Sequence, residues 1–201
     1  HKYVPENRVH YCPNGIPDVQ VESRKSKVKS NNGDRSPNPM GAAEILFLSH
    51  LIESKGVFVL VEALNIIKER GLSFHCTMIG GEGDVTEDQM RKKIEKSGLI
   101  GYIDVAGKKY GEEKQKAFRR ADIFVHPTFN DCLPLVLLEA MQYSLPIVST
   151  PEGAIPDVVE DGVNGFLVPQ RDTTALAGEL EVLIKDPDLR QRMGAAGRAK
   201  Y

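Results

Sequence analysis

Cysteine is scarce in this sequence. Cys12, Cys76 and Cys132 are too few and too scattered for a disulfide framework, and neither a Cys-x-x-Cys pair nor a histidine-rich metal spacing accompanies them. The expectation is a reducing, cytoplasmic setting with no metal site. Excess charge is lacking as well: a net charge of -2 and a pI of about 6.3 leave no global basic field to hold a polyanion, which argues against nucleic acid as a partner. No run of about 18 apolar residues is present to span a membrane, and the opening HKYVPENRVHY lacks the apolar core of a signal peptide. The chain therefore reads as soluble. It opens on His1, in what reads as the end of a loop-strand segment, so a fragment of something longer is expected.

What is there is ordinary globular material: with 41% hydrophobic residues among 201, the chain is long enough for a well-buried core. Residues 1–43 read as an inter-domain segment and flexible connector. Within them, SRKSKVKSNNGDRSPNPMGAA has almost no large apolar side chain to offset the entropy of ordering, and Arg24, Lys25, Lys27 and Lys29 read as a solvated run. Residues 44–201 alternate short apolar runs with helix-period segments. EILFLS, FHCTMIG, YIDVAG, DIFVHP, LPIVST and GFLVP read as strands. Between them lie KGVFVLVEALNIIKERG with its stop at Gly71, a helix opened by Thr86, EEKQKAFRRA, the helix containing Glu139 and a short turn near Ile155; two helices starting at Asp172 and Asp186 close the chain. That alternation predicts an α/β, Rossmann-like parallel sheet with helices on both faces. In such sheets ligands bind beyond the carboxyl ends of the strands, so the loops to inspect are SHLIESKG, GGEGD, GKKYG, PTFNDCLP and TPEGAIP.

One residue in NDCLPLVLLEAMQYSLPIVST is out of character. Glu139 is embedded among Leu135 to Leu138, Ala140 and Met141, and an unpaired carboxylate there would cost several kcal/mol. It must accept hydrogen bonds, either from a neighbouring loop's backbone or from a ligand's hydroxyls. Eight positions earlier stands Asp131, whose simplest reading is a helix N-cap. A fully helical segment would separate the two acids by about 12 Å, beyond the roughly 5 to 9.5 Å of a hydrolase pair. The same span suits an extended ligand with hydroxyls at both ends and an anion between them, facing the N–H groups from Cys132 to Val136 at the helix start. A nucleotide sugar has that shape. Gly80, Gly81 and Gly83 permit close backbone approach, but GGEGD lacks the third glycine of a dinucleotide fingerprint, which counts against an oxidoreductase.

The stretch from Asp131 through LPLVLLEAM resembles the paired-acid motif of the retaining glycosyltransferases of the GT-B fold, often called glycosyltransferase group one. PNGI, LSHLIESKG, IGGEGD, ADIFVHPT and DGVNGFLVP resemble further family segments in the right order, over about residues 9–199. The resemblance implies a hexosyltransferase that uses a nucleotide diphosphate sugar, with this chain as the donor-binding half, inactive alone. It implies that Glu139 binds ribose hydroxyls, that Asp131 stands where the family usually has a Glu contacting the donor sugar, and that Lys55, followed by Gly56, pairs with the diphosphate; Asp131 and Lys55 are the catalytic candidates. Donor-binding expectations extend to His50 (commonly Arg in the family), Gly80, Gly81, the Gly107–Lys108 base loop, Asn130, Cys132, Leu133, Pro134, Leu135 and Gly153, the last also readable as a plain turn. The one Asp-x-Asp spacing, Asp186-Pro187-Asp188, falls at the start of the last helix and not in a loop beyond a strand, so no metal or other cofactor is expected. The implied acceptor is a saccharide or a lipid-linked sugar, handled by an N-terminal domain missing from this chain, in bacterial polysaccharide synthesis at the inner face of a membrane that the missing half would touch. Because Asp131 and His50 depart from the pattern, a non-catalytic sugar-nucleotide-binding module is the alternative.

Overall fold

The computed structural model describes residues 41–201. Cys12, PNGI and the basic connector run lie outside the described residues. The elements follow the expected alternation: β1 (Ala43–Leu48), α1 (Val57–Glu69), β2 (Phe74–Ile79), α2 (Glu87–Lys96), β3 (Ile103–Val105), α3 (Gly111–Arg120), β4 (Ile123–His126), α4 (Leu135–Gln142), β5 (Ile147–Ser149), α5 (Ile155–Val158), β6 (Gly165–Leu167), α6 (Thr173–Lys185) and α7 (Pro187–Lys200). A single-turn 3-10 helix, Glu53–Lys55, precedes α1.

All six strands pair in parallel, in the order β3-β2-β1-β4-β5-β6. Consecutive residues of a strand point to opposite faces, so near-continuous apolar strands require cover on both. One core gathers Ile45, Phe47, Met78 and Val125 with Leu60 and Leu64 of α1, Met90 of α2 and Leu180 of α6. The other gathers Leu46, Ile79, Phe124 and Ile147 with Phe118 of α3, Leu137 and Met141 of α4, and Ile155. Rossmann-like layering is thus what the strand composition produces. The exception is β2, where His75 and Thr77 replace apolar residues on the α3 side. There α3 stands off the sheet and leaves a cavity of about 430 Å³, with Glu44, His75, Asp104, Lys116 and Arg120 among its lining.

Helix ends are set locally. Thr86 Oγ1 accepts from the Gln89 N–H while the Gln89 side chain accepts from the Thr86 N–H, a reciprocal capping box that opens α2. Asp172 and Asp186 cap α6 and α7 one way only, by accepting from the N–H groups of Ala175 and Leu189. The strand order reverses between β1 and β4: the loop after β1 leads to α1 on one face and that after β4 to α4 on the other. A crevice opens where such loops part, at the carboxyl ends of the strands.

Candidate functional site

The two central loops are laced together at that crevice. The Ser54 carbonyl accepts from the Phe129 N–H at 2.8 Å and from Thr128 Oγ1 at 3.2 Å. Gly56 sits at φ 77°, and a Cβ on it would lie 2.1 Å from the Pro127 carbonyl oxygen, so only glycine allows this approach. Lys55 is thereby delivered to the opposite loop, where Nζ donates to the Asn130 carbonyl at 2.9 Å and to Asp131 Oδ2 at 2.6 Å.

The loops on either side fasten onto this pair. Leu51 N–H donates to Gly81 O, and Gly80 N–H to Gly107 O. A side chain on Gly80 would strike the Ser49 carbonyl, and one on Gly81 the Lys108 stem. Beyond β5, the Ala154 N–H donates to Cys132 O at 2.7 Å, and Gly153 (φ 54°) packs against the carbonyls of Asp131 and Cys132. Gly80, Gly81 and Gly153 therefore let the chain approach itself. His50 and Lys108 stand at the rim, both exposed.

Asp131 is not a helix cap: α4 begins at Leu135 with Pro134 as its N-cap residue, and no side chain caps it. Because 131–134 is not helical, the 12 Å helical rise does not separate the two acids. The expected row of helix-start donors also shortens, since Cys132 and Leu133 precede the helix, Pro134 has no N–H, and the Leu137 N–H donates to Pro134 O. Asp131 instead anchors a charged cluster. Burial pushes its carboxyl upward, but hydrogen bonds from His126 and Lys55, with their charge, outweigh that and bring it down to about 2. His126 Nε2 lies 3.2 Å from Oδ2. Its ring is 1% exposed, and burial lowers its pKa against the pull of Asp131, so a neutral imidazole meets an ionised carboxylate.

Glu139 differs from expectation in its surroundings. Leu135, one turn before it, is 42% exposed, and the Glu139 side chain itself is only partly buried, so this helix does have an open flank. Its partner is a side chain and not loop backbone: Lys114 Nζ of α3 donates to Oε1 at 2.6 Å. Oε2 is buried with no hydrogen-bond partner. A buried acceptor left open is unusual enough to require a cause, and a ligand hydroxyl would supply one.

Lys114 and His126 did not emerge as site residues from sequence. His126 carried a usable signal, an ionisable residue ending an apolar strand where binding loops begin. Lys114, on a charged helix, carried none. Among the described residues no group of three His, Cys, Asp or Glu is arranged to hold a metal ion. None of the described helices is long and apolar enough to cross a membrane.

Comparison with known proteins agrees with this architecture. The amylovoran biosynthesis glycosyltransferase AmsK of Erwinia amylovora is 34% identical over 166 residues, covering 80% of this chain and 39% of that protein. The phosphatidyl-myo-inositol mannosyltransferase of Mycobacterium leprae is 35% identical over 155 residues, covering 76% and 40%. The chain thus spans about two fifths of the length of these curated relatives. Among solved structures, Anabaena HepE in complex with UDP-glucose superposes with a TM-score of 0.71 at 23% identity, over 79% of this chain and 43% of that one. The C-terminal domain of the Francisella tularensis glycosyl transferase LpcC gives a TM-score of 0.70 at 24% identity over 79% of this chain and 83% of that one, so the fold is that of a GT-B C-terminal domain. The model of the family Glycosyl transferases group 1 matches residues 28–200, and the chain belongs to that family.

Proposed function

We propose that this chain is the donor-binding half of a retaining hexosyltransferase, which moves a hexose from a nucleotide diphosphate sugar to a saccharide or lipid-linked acceptor. The observation that carries the reading is the open, buried Oε2 of Glu139, at the same strand ends as the Lys55–Asp131 pair. An extended donor would lay its ribose hydroxyls on Glu139, its diphosphate near the α4 start and Lys55, and its sugar toward Asp131. HepE, crystallised with UDP-glucose, is a neighbour in fold, and AmsK is named for polysaccharide biosynthesis.

In this reading the glycosidic C–O bond breaks with its electron pair going to the diphosphate oxygen. The Lys55 ammonium, whose three protons can serve Asp131, the Asn130 carbonyl and a phosphate oxygen together, stabilises the charge that develops. The acceptor hydroxyl attacks on the same face and its proton passes to the departing phosphate, which retains the anomeric configuration. No divalent ion is required, and the reaction would take place on the cytoplasmic side.

Thermal unfolding with a panel of nucleoside diphosphates, with and without chelator, tests the reading. At about 100 times its dissociation constant, a ligand adds about 2.7 kcal/mol of stability. A response to at least one diphosphate should persist in chelator and weaken in Glu139→Gln. Silence across the panel would remove the basis of the proposal.

A further inference from the structure

We propose that His126 is a positioning residue for the sugar end of the crevice: its buried imidazole, held as the Nε2–H tautomer, draws Asp131 back against the sheet and turns one carboxylate oxygen toward the donor sugar. The inference rests on the reading above that Asp131 faces that sugar.

The ring is fixed from below. His126 is the last residue of β4, its carbonyl accepts from Ser149 Oγ at 2.7 Å, and its imidazole lies near-parallel to Phe47 and Phe124, with centroids 6.2 and 6.5 Å away. Of its two nitrogens, Nε2 meets Asp131 Oδ2 at 3.2 Å, while Nδ1 is buried with no hydrogen-bond partner. With the proton on Nε2 a donor faces a carboxylate, and only a lone pair is left unmet. With the proton on Nδ1, a buried N–H would be orphaned and a lone pair would face a negative charge. Two unfavourable terms then replace one, so the tautomer is set.

Asp131 Oδ2 takes a second donor, Lys55 Nζ, at 2.6 Å. Oδ1 accepts no hydrogen bond among the described residues. Donors from a buried strand end and from the opposite loop therefore hold one oxygen and leave the other for a ligand. An aspartate, one methylene shorter than glutamate, reaches the buried ring this way, and its carboxylate is held from the end of β4.

The test uses titration calorimetry with UDP-glucose, GDP-mannose and ADP-glucose, each beside its free diphosphate, so that the ratio of the two affinities isolates the sugar end. His126→Leu should lower nucleotide-sugar affinity by about tenfold, as expected for losing a hydrogen bond to a charged group, and change diphosphate affinity by less than about threefold. His126→Gln, whose amide nitrogen can stand near the position of Nε2, should recover most of the loss. In the unsubstituted protein, nitrogen-15 spectra of the imidazole should show the proton on Nε2 at neutral pH. Equal losses for sugar and diphosphate, no loss, or a proton on Nδ1 would each overturn the proposal. If the unsubstituted protein binds no nucleotide sugar differently from its diphosphate, the placement of Asp131 at the sugar fails too, and that result is separable because it needs no variant.

Discussion

His75 and His126 show how position alone divides one residue type into opposite behaviours. His75 bridges three strands, with Nδ1 3.1 Å from Glu44 Oε2 and Nε2 3.2 Å from Asp104 Oδ2. The hydrogen bond to Glu44 raises its pKa, burial opposes, and the remaining influence of Glu44 and Asp104 adds to the rise. A raised folded pKa stabilises fully below the unfolded value of about 6.5, and that stability is lost as pH climbs through the folded value. Lys116 and Arg120 line the same cavity from α3. His75→Asn should therefore lower Tm most near pH 5.5, with the gap to the parent narrowing toward pH 9; a gap independent of pH would contradict the assignment. His126, sealed between rings beside one carboxylate already matched to Lys55, is pushed the other way. Sequence cannot separate these cases, because each histidine's partners come from other strands and loops. Glu139 stood out because its apolar neighbours are written within a few residues of it, whereas Asp131 read locally as a helix cap and Lys55 as a loop cation marked only by Gly56 and the family resemblance. Lys114 was not legible, since its meaning comes entirely from docking α3 against α4.

At the scale of elements, the alternation of apolar runs and helical periods located every strand and α-helix of residues 43–200, though not the single 3-10 turn at Glu53–Lys55, because parallel strands buried on both faces leave a strong compositional trace. Short-range chemistry fixed several boundaries: Thr86 opens α2, Gly71 follows the end of α1, and Asp172 and Asp186 start the last two helices. The start of α4 was misjudged for an equally local reason. Pro134 adopts an extended ψ of 113°, so the helix waits until Leu135 and Asp131 is freed from capping to join Lys55. Capping matters most where packing is thin, and α2 buries only Met90 and Ile94. Thr86→Ala should cost about 1 kcal/mol in urea unfolding, and Gln89→Ala should remove the reciprocal half of the box. A loss below about 0.3 kcal/mol for Thr86→Ala would mean that α2 is held by its tertiary contacts.

For the molecule as a whole, two thiols offer a direct gauge of opening. Cys76 lies in β2 with no exposure, and burial pushes its thiol far above the ordinary range; Cys132 is exposed on the loop before α4. In a Cys12→Ser background a thiol reagent should label Cys132 at once, whereas Cys76 should wait for the sheet to open, at a rate that rises with urea as global unfolding does. Equal labelling of the two in native buffer would show that the sheet breathes locally. Such a result would be hard to square with the lacing at the strand ends. Ser54 is tied to Thr128 and Phe129, Lys55 to Asn130 and Asp131, and Gly56 lies flush against Pro127. Opposing banks joined at so many points behave as one jaw. Taking up a long ligand should therefore leave the two banks together, so that this face meets the ligand with its shape already set.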